Sequence, residues 1–383
     1  MEQFRMEQIA REQLVNQKWQ QMMVEISNAA VREGKIAHAT FELTAMCTLK
    51  CKMCYVRLDR QQADAIGTMR MADEWIHMAR QFRDAGGITI LLTGGEAMMR
   101  PDFAEIYEEI SKMGLFVTVF TNGTTITDEI VDLFKRRPPA LVGLTVYGAS
   151  EETYRRVTGV EGFRRAVEGL DRLLAIPNLH VDVRYTLCTL NYEDYGKVQQ
   201  LVAERGIILG YDFGDMSPVR GATSDSRKLR LSKEQKQCIL EQQQQISAPI
   251  LDAIHKMDTP AIQETRQLAP IDLEQENGEE PDSDMERRLQ CRAAAFGVYI
   301  AFDGRMYPCD SFSEPYCTEP FKEGFVPAYQ RLQKIAKDIL VPESCFLCRH
   351  RERCGPCAAR LIAEKEACKR EGVPCGFEPR EMK

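Results

Sequence analysis

The stretch TAMCTLKCKMCYVRLD, residues 44–59, sets Cys47, Cys51 and Cys54 in the spacing C-x3-C-x2-C. Three thiolates on so short a loop wrap one corner of a cube. A closed structural zinc site wants four ligands, whereas a [4Fe-4S] cluster held by three Cys keeps one iron open for a small molecule. The competing reading is a zinc loop that borrows a distant ligand. On either side of the loop the pattern is strand and helix. HATFELT (38–44) reads as a strand, and MADEWIHMARQFRDAGG (71–87) has helical periodicity ending in a Gly pair. ITILLTGGEAMMRP (88–101) is an apolar strand that runs into a glycine turn.

This order repeats along the chain. Helix FAEIYEEISKMG precedes strand LFVTVFTNGT, and ITDEIVDLFKRR precedes ALVGLTVYGAS. FRRAVEGLDRLLAI then leads to HVDVRYTLCTLN, and YGKVQQLVAERG to IILGYDFGD. Six strands alternating with helices predict an α/β chain whose parallel sheet curls, by the right-handed crossover rule, toward a full or partial barrel. Ligands of such barrels sit at the carboxyl ends of the strands. The Cys loop, Gly94-Gly95-Glu96, Asn122-Gly123 and Thr145 to Gly148 all lie at such ends.

Composition narrows the function. With 383 residues the chain has room for two or three domains and a full core without disulfide staples. Lys+Arg 50 against Asp+Glu 57 gives a net charge of −7, which disfavours a nucleic-acid or anionic-membrane binder. No stretch has the apolar length of a signal peptide or a membrane span, so the expectation is a cytoplasmic protein that touches neither membrane nor nucleic acid. Its 14 Cys are then reduced, and clustered thiols point to metal or redox chemistry. Five His, at 38, 77, 180, 255 and 350, show no metal spacing and are taken as structural or surface residues.

The C-x3-C-x2-C loop followed by a strand ending in GGE resembles the radical S-adenosylmethionine (SAM) enzymes over about residues 36 to 215. The resemblance implies a partial (β/α)6 barrel of TIM type, with Cys47, Cys51 and Cys54 holding a [4Fe-4S] cluster whose open iron is chelated by SAM. One electron then cleaves SAM to a 5′-deoxyadenosyl radical, which abstracts hydrogen from the substrate. Gly94 and Gly95 would let the backbone approach the methionyl part, and Glu96 would accept a hydrogen bond from its amino group. Thr145, Arg184 and Asn122 are further candidate SAM contacts. For Arg184 a surface salt bridge is the alternative, and for Asn122 a plain Asn-Gly turn. The family often places an aromatic residue before the third Cys. Here Met53 stands there, with Tyr55 as a possible substitute against the adenine.

A second cysteine group fills the C-terminal region. Cys291, then Gly304 and Cys309 as G-x4-C, then C-x2-C-x5-C-x2-C from Cys345 through Cys348 and Cys354 to Cys357, and finally Cys375, are similar to the SPASM extension of radical SAM proteins. The family pattern usually has x3 where this chain has x2 before Cys357. The resemblance implies two auxiliary [4Fe-4S] clusters, three in all. Cys345, Cys348, Cys354 and Cys375 would hold the outer one. Cys291, Cys309 and Cys357 would hold the inner one, with Cys317 as candidate fourth ligand against an iron left open, and Cys368 as a competitor of Cys375. One or two structural zinc sites are the bland alternative. AFGVYIAFDGRMYPCD (295–310) reads as a hairpin with Asp303-Gly304 at its turn, within a small Cys-rich α+β domain. Asp310, next to Cys309, matches the catalytic Asp of anaerobic sulfatase-maturating enzymes.

The expected organisation is an N-terminal amphipathic helix over 1–34, the barrel over 35–216, a helix and acidic linker over 217–290, and the auxiliary-cluster domain over 291–383. The stretch LTVYGASEETYRRVTG looks like bacterial ribosomal-peptide maturases. That resemblance implies an oxidative modification of a peptide, such as a thioether or carbon-carbon crosslink, with an electron donor such as flavodoxin or ferredoxin as partner and either a separate leader-binding protein or a substrate that needs none. Sulfatase-type formylglycine formation, a small-molecule substrate and a non-catalytic electron-transfer protein are the alternatives.

Overall fold

Along His38–Glu42 (β1) alternate side chains take opposite faces, as a strand's period of two requires. Ala39 and Phe41 are fully buried against helices, while His38 and Thr40 face a cavity. The computed structural model describes residues 2–256, 293–341 and 357–373. Its strands continue as Thr89–Thr93 (β2), Phe116–Thr121 (β3), Leu141–Val146 (β4), Val181–Leu187 (β5), Leu209–Phe213 (β6), Gly297–Ile300 (β7) and Met306–Tyr307 (β8). They form one sheet in the order β6-β5-β4-β3-β2-β1-β7-β8. Strands β1 to β6 pair in parallel, as the alternating pattern predicts.

The apolar face of this sheet carries the core. Phe41, Ile90, Leu92, Val119, Leu144 and Val183 pack against Trp75 and Phe82 of Ala72–Asp84, Ile106 of Phe103–Ser111 and Leu170 of Phe163–Leu174. Each such buried side chain contributes about 1.5–3 kcal/mol. The helices start where the sequence offers caps: Thr127 accepts from Ile130 N and Ser150 from Thr153 N. The helix Glu151–Thr158 ends at Gly159, whose φ of 73° lies in the left-handed region.

The predicted hairpin forms, with Gly304 at φ 91° in its turn and β7 antiparallel to β8. It does not stand apart from the barrel, because β7 pairs in parallel with β1, His38 opposite Gly297 through Phe41 opposite Ile300. The strand that carries the cysteine loop is therefore interior to the sheet, with its backbone bonded on both edges. The N-terminal segment is a helix over Glu2–Glu33, with Ser27 and Ala30 buried. The helix expected within 217–290 spans Lys233–Lys256. The acidic linker after it lies outside the described residues. Among the described residues no helix is long and apolar enough to cross a membrane.

The helix Ala358–Glu371 is clamped to the segment after β6 by a buried carboxylate. Glu364, 3% exposed, accepts from Arg227 (2.9 Å) and Arg230 (2.6 Å) and from the Ser217 hydroxyl. Burial pushes its carboxyl up, but the hydrogen bonds from Arg230, Ser217 and Arg227 outweigh it and bring it down to about 2. A depressed folded-state value stabilises above the unfolded carboxylate range and is lost as pH falls toward 2. Glu364→Ala is expected to cost about 3 kcal/mol at pH 7, because it leaves the Arg230 guanidinium without its carboxylate and Arg227 with Glu371 alone. Urea unfolding should show that difference shrinking between pH 5 and pH 2, and a pH-independent difference would contradict the clamp.

Candidate active site

The cysteine loop leaves the carboxyl end of β1 and is held by backbone on three sides. Gly95 N donates to Thr44 O (2.7 Å) and Glu96 N to Met46 O (2.8 Å). A Cβ on Gly94 would lie 2.6 Å from Thr44 O, and one on Gly95 2.4 Å from Met46 O. The glycine pair thus lets the end of β2 press on the loop, a contact no side chain allows. From the other side, Lys50 N and Lys52 N donate to Thr158 O and Val157 O at the end of the helix Glu151–Thr158. Asp225 N donates to Lys52 O, and Val219 N to Tyr55 O. Leu49, Cys51, Met53, Val157 and Cys188 close a small apolar cluster beneath.

Cys47, Cys51 and Cys54 line one cavity of about 180 Å³, together with Gly94, Gly95, Asn122, Thr145 and Tyr147. Burial pushes the Cys47 thiol up to about 12, and pushes Cys51 and Cys54 up as well. The nearby Cys54 and Cys47 raise Cys51 further. Three such thiols become thiolates only against a strongly positive partner. Leu49 N (3.4 Å) and Asn122 Nδ2 (3.5 Å) donate to Cys47 Sγ. No His, Asp or Glu is among the residues lining this cavity, so its soft donor set stops at three sulfurs. Among the described residues no three His, Cys, Asp or Glu side chains converge tightly enough to hold a single metal ion. The donor set suits an iron-sulfur cluster with an open iron better than a four-ligand zinc site.

Glu96 lies beneath the glycine turn, 1% exposed. Its carboxylate accepts from the Thr121 hydroxyl (3.0 and 3.1 Å), Asn122 N (2.8 Å) and Met98 N (3.4 Å). Burial pushes it above the ordinary carboxylate range. It ties the ends of β2 and β3 together. Arg184 stands opposite Thr145 in the β4–β5 register, pairs with Asp182 at 2.8 Å and sits 5.4 Å from the centre of the Phe120 ring. It does not line the cavity, whereas Arg57 does. The salt bridge named as the alternative for Arg184 is what the structure shows.

A second cavity of about 610 Å³ opens beside the first and shares Val56, Thr93, Gly94 and Phe120 with it. Its far wall holds Cys309, Asp310, Cys357 and Tyr299. Tyr55 lines this cavity rather than the cysteine cavity, and its hydroxyl donates to Asp310 Oδ2. The Ser311 hydroxyl also donates to Asp310, at 3.1 Å. Cys317 packs on the same apolar cluster as Cys309 and Cys357, with Tyr299, Tyr307 and Phe312, but does not line the cavity. Cys291, Cys345, Cys348, Cys354 and Cys375 lie outside the described residues.

Besides Arg57, four residues gain a place at the site that the sequence did not signal. Tyr147 lines the cysteine cavity with Cys51, and the strand alternation puts it on the same face as Thr145. Phe120 belongs to both cavities. Arg220 lies behind the Asp310 turn. His38, taken as structural or surface, lines the large cavity, with Nδ1 2.8 Å from the Thr89 hydroxyl and Nε2 3.2 Å from that of Thr40. Burial holds its pKa down to about 4, so the ring is neutral.

A loop of three cysteines after the first strand of a parallel sheet, pressed by a glycine pair at the end of the second, defines a class of site. Residues 41–202 match the Radical SAM superfamily, and the chain resembles the peptide maturases of that class. It is 24% identical over 349 residues, 88% of this chain and 96% of the other, to the AdoMet-dependent heme synthase of Methanosarcina barkeri. To the antilisterial bacteriocin subtilosin biosynthesis protein AlbA of Bacillus subtilis it is 28% identical over 211 residues, 54% of this chain and 46% of that one. Its fold is like that of Streptococcus suis SuiB bound to S-adenosylmethionine, with a TM-score of 0.59 and 16% identity over 87% of this chain and 75% of SuiB.

Proposed function

We propose that this chain is a radical SAM oxidoreductase acting on a peptide held in the larger cavity, giving an oxidative modification such as a thioether or carbon-carbon crosslink in ribosomal peptide maturation. The observation that carries the proposal is the shared wall of Val56, Thr93, Gly94 and Phe120, which joins the three-cysteine cavity to Cys309, Asp310 and Cys357. Cys47, Cys51 and Cys54 would hold a [4Fe-4S] cluster that, with SAM bound, supplies a 5′-deoxyadenosyl radical. Gly94, Gly95, Asn122 and Thr145 would face the cofactor, with Arg57 as the cation for its carboxylate. Cys309 and Cys357, with Cys291, would hold an inner auxiliary cluster, and Cys345, Cys348, Cys354 and Cys375 an outer one. A peptide leader-binding partner and a flavodoxin or ferredoxin would complete the system.

Asp310 is the base of this reading. Its carboxylate lines the substrate cavity beside Cys309, with the Tyr55 hydroxyl fixing one oxygen, and it would take the proton released as the substrate radical is oxidised. Asp310→Asn keeps the shape but not the base. It is expected to lower oxidised product by about 10²–10⁴-fold while 5′-deoxyadenosine still forms. Product formation equal to the wild type would remove Asp310 from the mechanism.

The near-complete overlap with the heme synthase supports a second reading, in which the cavity takes a tetrapyrrole. The two readings separate in one experiment: anaerobic turnover with SAM and reductant against short Cys-, Tyr- or Trp-rich peptides encoded beside the gene, and against an iron tetrapyrrole. Loss of hydrogen from a peptide supports the first reading. Turnover of the tetrapyrrole alone replaces it with the second.

A further inference from the structure

Arg220, in the loop after β6, has a φ of 47°, a left-handed conformation that a non-glycine residue keeps only where its surroundings hold it there. The contacts that hold it there all run to the auxiliary side of the cavity. Its backbone N donates to Ser313 Oγ at 3.0 Å. Nη1 donates to the carbonyl oxygens of Asp310 and Phe312, the latter at 3.2 Å, and Nη2 to the Tyr299 hydroxyl at 3.2 Å. The guanidinium lies 4.6 Å from the centre of the Tyr299 ring and 5.6 Å from that of Tyr307. Glu42, at the end of β1, is the carboxylate nearest in effect. It is 3% exposed, with Oε2 lacking a hydrogen-bond partner.

One half-buried cation therefore fastens two things: the Cys309–Asp310 turn and the Tyr299 wall of the large cavity. A planar fork suits this role, since it donates to several carbonyls and stacks on rings at once. In a low-dielectric setting the charge is also felt strongly by neighbouring groups. We propose that Arg220 is a positioning residue that sets the Cys309–Asp310 turn and the Tyr299 wall, and whose charge raises the reduction potential of the iron-sulfur centre held by Cys309. This rests on the reading of Cys309 as a cluster ligand. Positive charge beside a cluster favours its reduced, more negative state, because net charge and hydrogen bonding set such potentials. The auxiliary centre would thereby be a better acceptor for the electron left on the substrate.

The test is a redox titration followed by electron paramagnetic resonance, on the full chain reconstituted anaerobically, with Cys47, Cys51 and Cys54 replaced by Ala so that auxiliary centres alone titrate. Arg220→Met is expected to shift a midpoint potential to more negative values at unchanged iron content, and Arg220→Lys, which keeps the charge, to return it toward the parent. Identical midpoints in parent and Arg220→Met would overturn the proposal. Should Arg220→Met fail to take up iron, Arg220→Gln against Arg220→Lys carries the comparison. A shift in Gln greater than in Lys supports the role of charge, and equal midpoints overturn it. A parent without any iron-sulfur signal would instead overturn the cluster reading, and this proposal with it.

Discussion

Cys51→Ala is expected to reduce 5′-deoxyadenosine formation from SAM to the background of an iron-free control, with the barrel still folded by circular dichroism. Cys51 is 7% exposed and lies over Leu49, Met53, Val157 and Cys188, so an Ala there leaves a small apolar gap. Losing a sulfur from a tightly packed site of this size costs about 1–3 kcal/mol of stability, which a chain of this length survives. Its effect on chemistry is far larger, because two thiolates do not secure a cluster whose open iron must take SAM. Burial disfavours all three thiolates, and each removed sulfur takes with it a bond that offsets that cost. SAM cleavage at the wild-type rate in Cys51→Ala would remove the loop from the mechanism.

Gly95→Ala is expected to be nearly as damaging, without touching a ligand. The new Cβ would meet Met46 O at 2.4 Å and Met46 C at 2.6 Å, backbone atoms that have no rotamer to yield. Either the end of β2 or the start of the cysteine loop must move, at a cost of about 1–3 kcal/mol for overpacking. That movement breaks the Gly95 N to Thr44 O and Glu96 N to Met46 O bonds. The prediction is a lower melting temperature together with loss of iron from the first cluster. Gly86→Ala makes the control: nothing lies within 4 Å of its added Cβ, though its φ of 98° makes it the more strained backbone site. A Gly95→Ala chain that melts lower than wild type yet keeps its full iron and SAM cleavage would show that the glycine pair serves stability alone.

Much of this was legible in the sequence, for local reasons. Strands β1 to β6 carry their own period, and the caps at Thr127 and Ser150 stand where their helices begin. The cysteine loop and the Gly pair fall at adjacent strand ends because a parallel sheet brings successive βα turns together. What local pattern does not carry is contact at long range. Tyr55 and Asp310 are 255 residues apart, and Arg220 reaches Asp310 over 90, so neither pairing has a signal in spacing. Arg184 and Arg57 are both plausible cations for the cysteine cavity by type. Only the register of β4 against β5 and the course of the loop separate them. The hairpin was recognisable from Asp303-Gly304, but its place beside β1 follows from an edge that would otherwise expose unpaired backbone.

In the proposed mechanism one cleft joins a SAM-cleaving cluster to auxiliary iron-sulfur centres. Iron and acid-labile sulfide per chain, measured after anaerobic reconstitution, test it most directly when the wild type is compared with a chain in which Cys47, Cys51 and Cys54 are all replaced by Ala. About twelve iron should fall to about eight, one four-iron cluster lost and two retained. About four iron in the wild type, with zinc bound as well, would contradict it: the C-terminal cysteines would then be structural, and the electron-accepting role of the Cys309 side of the cleft would be gone.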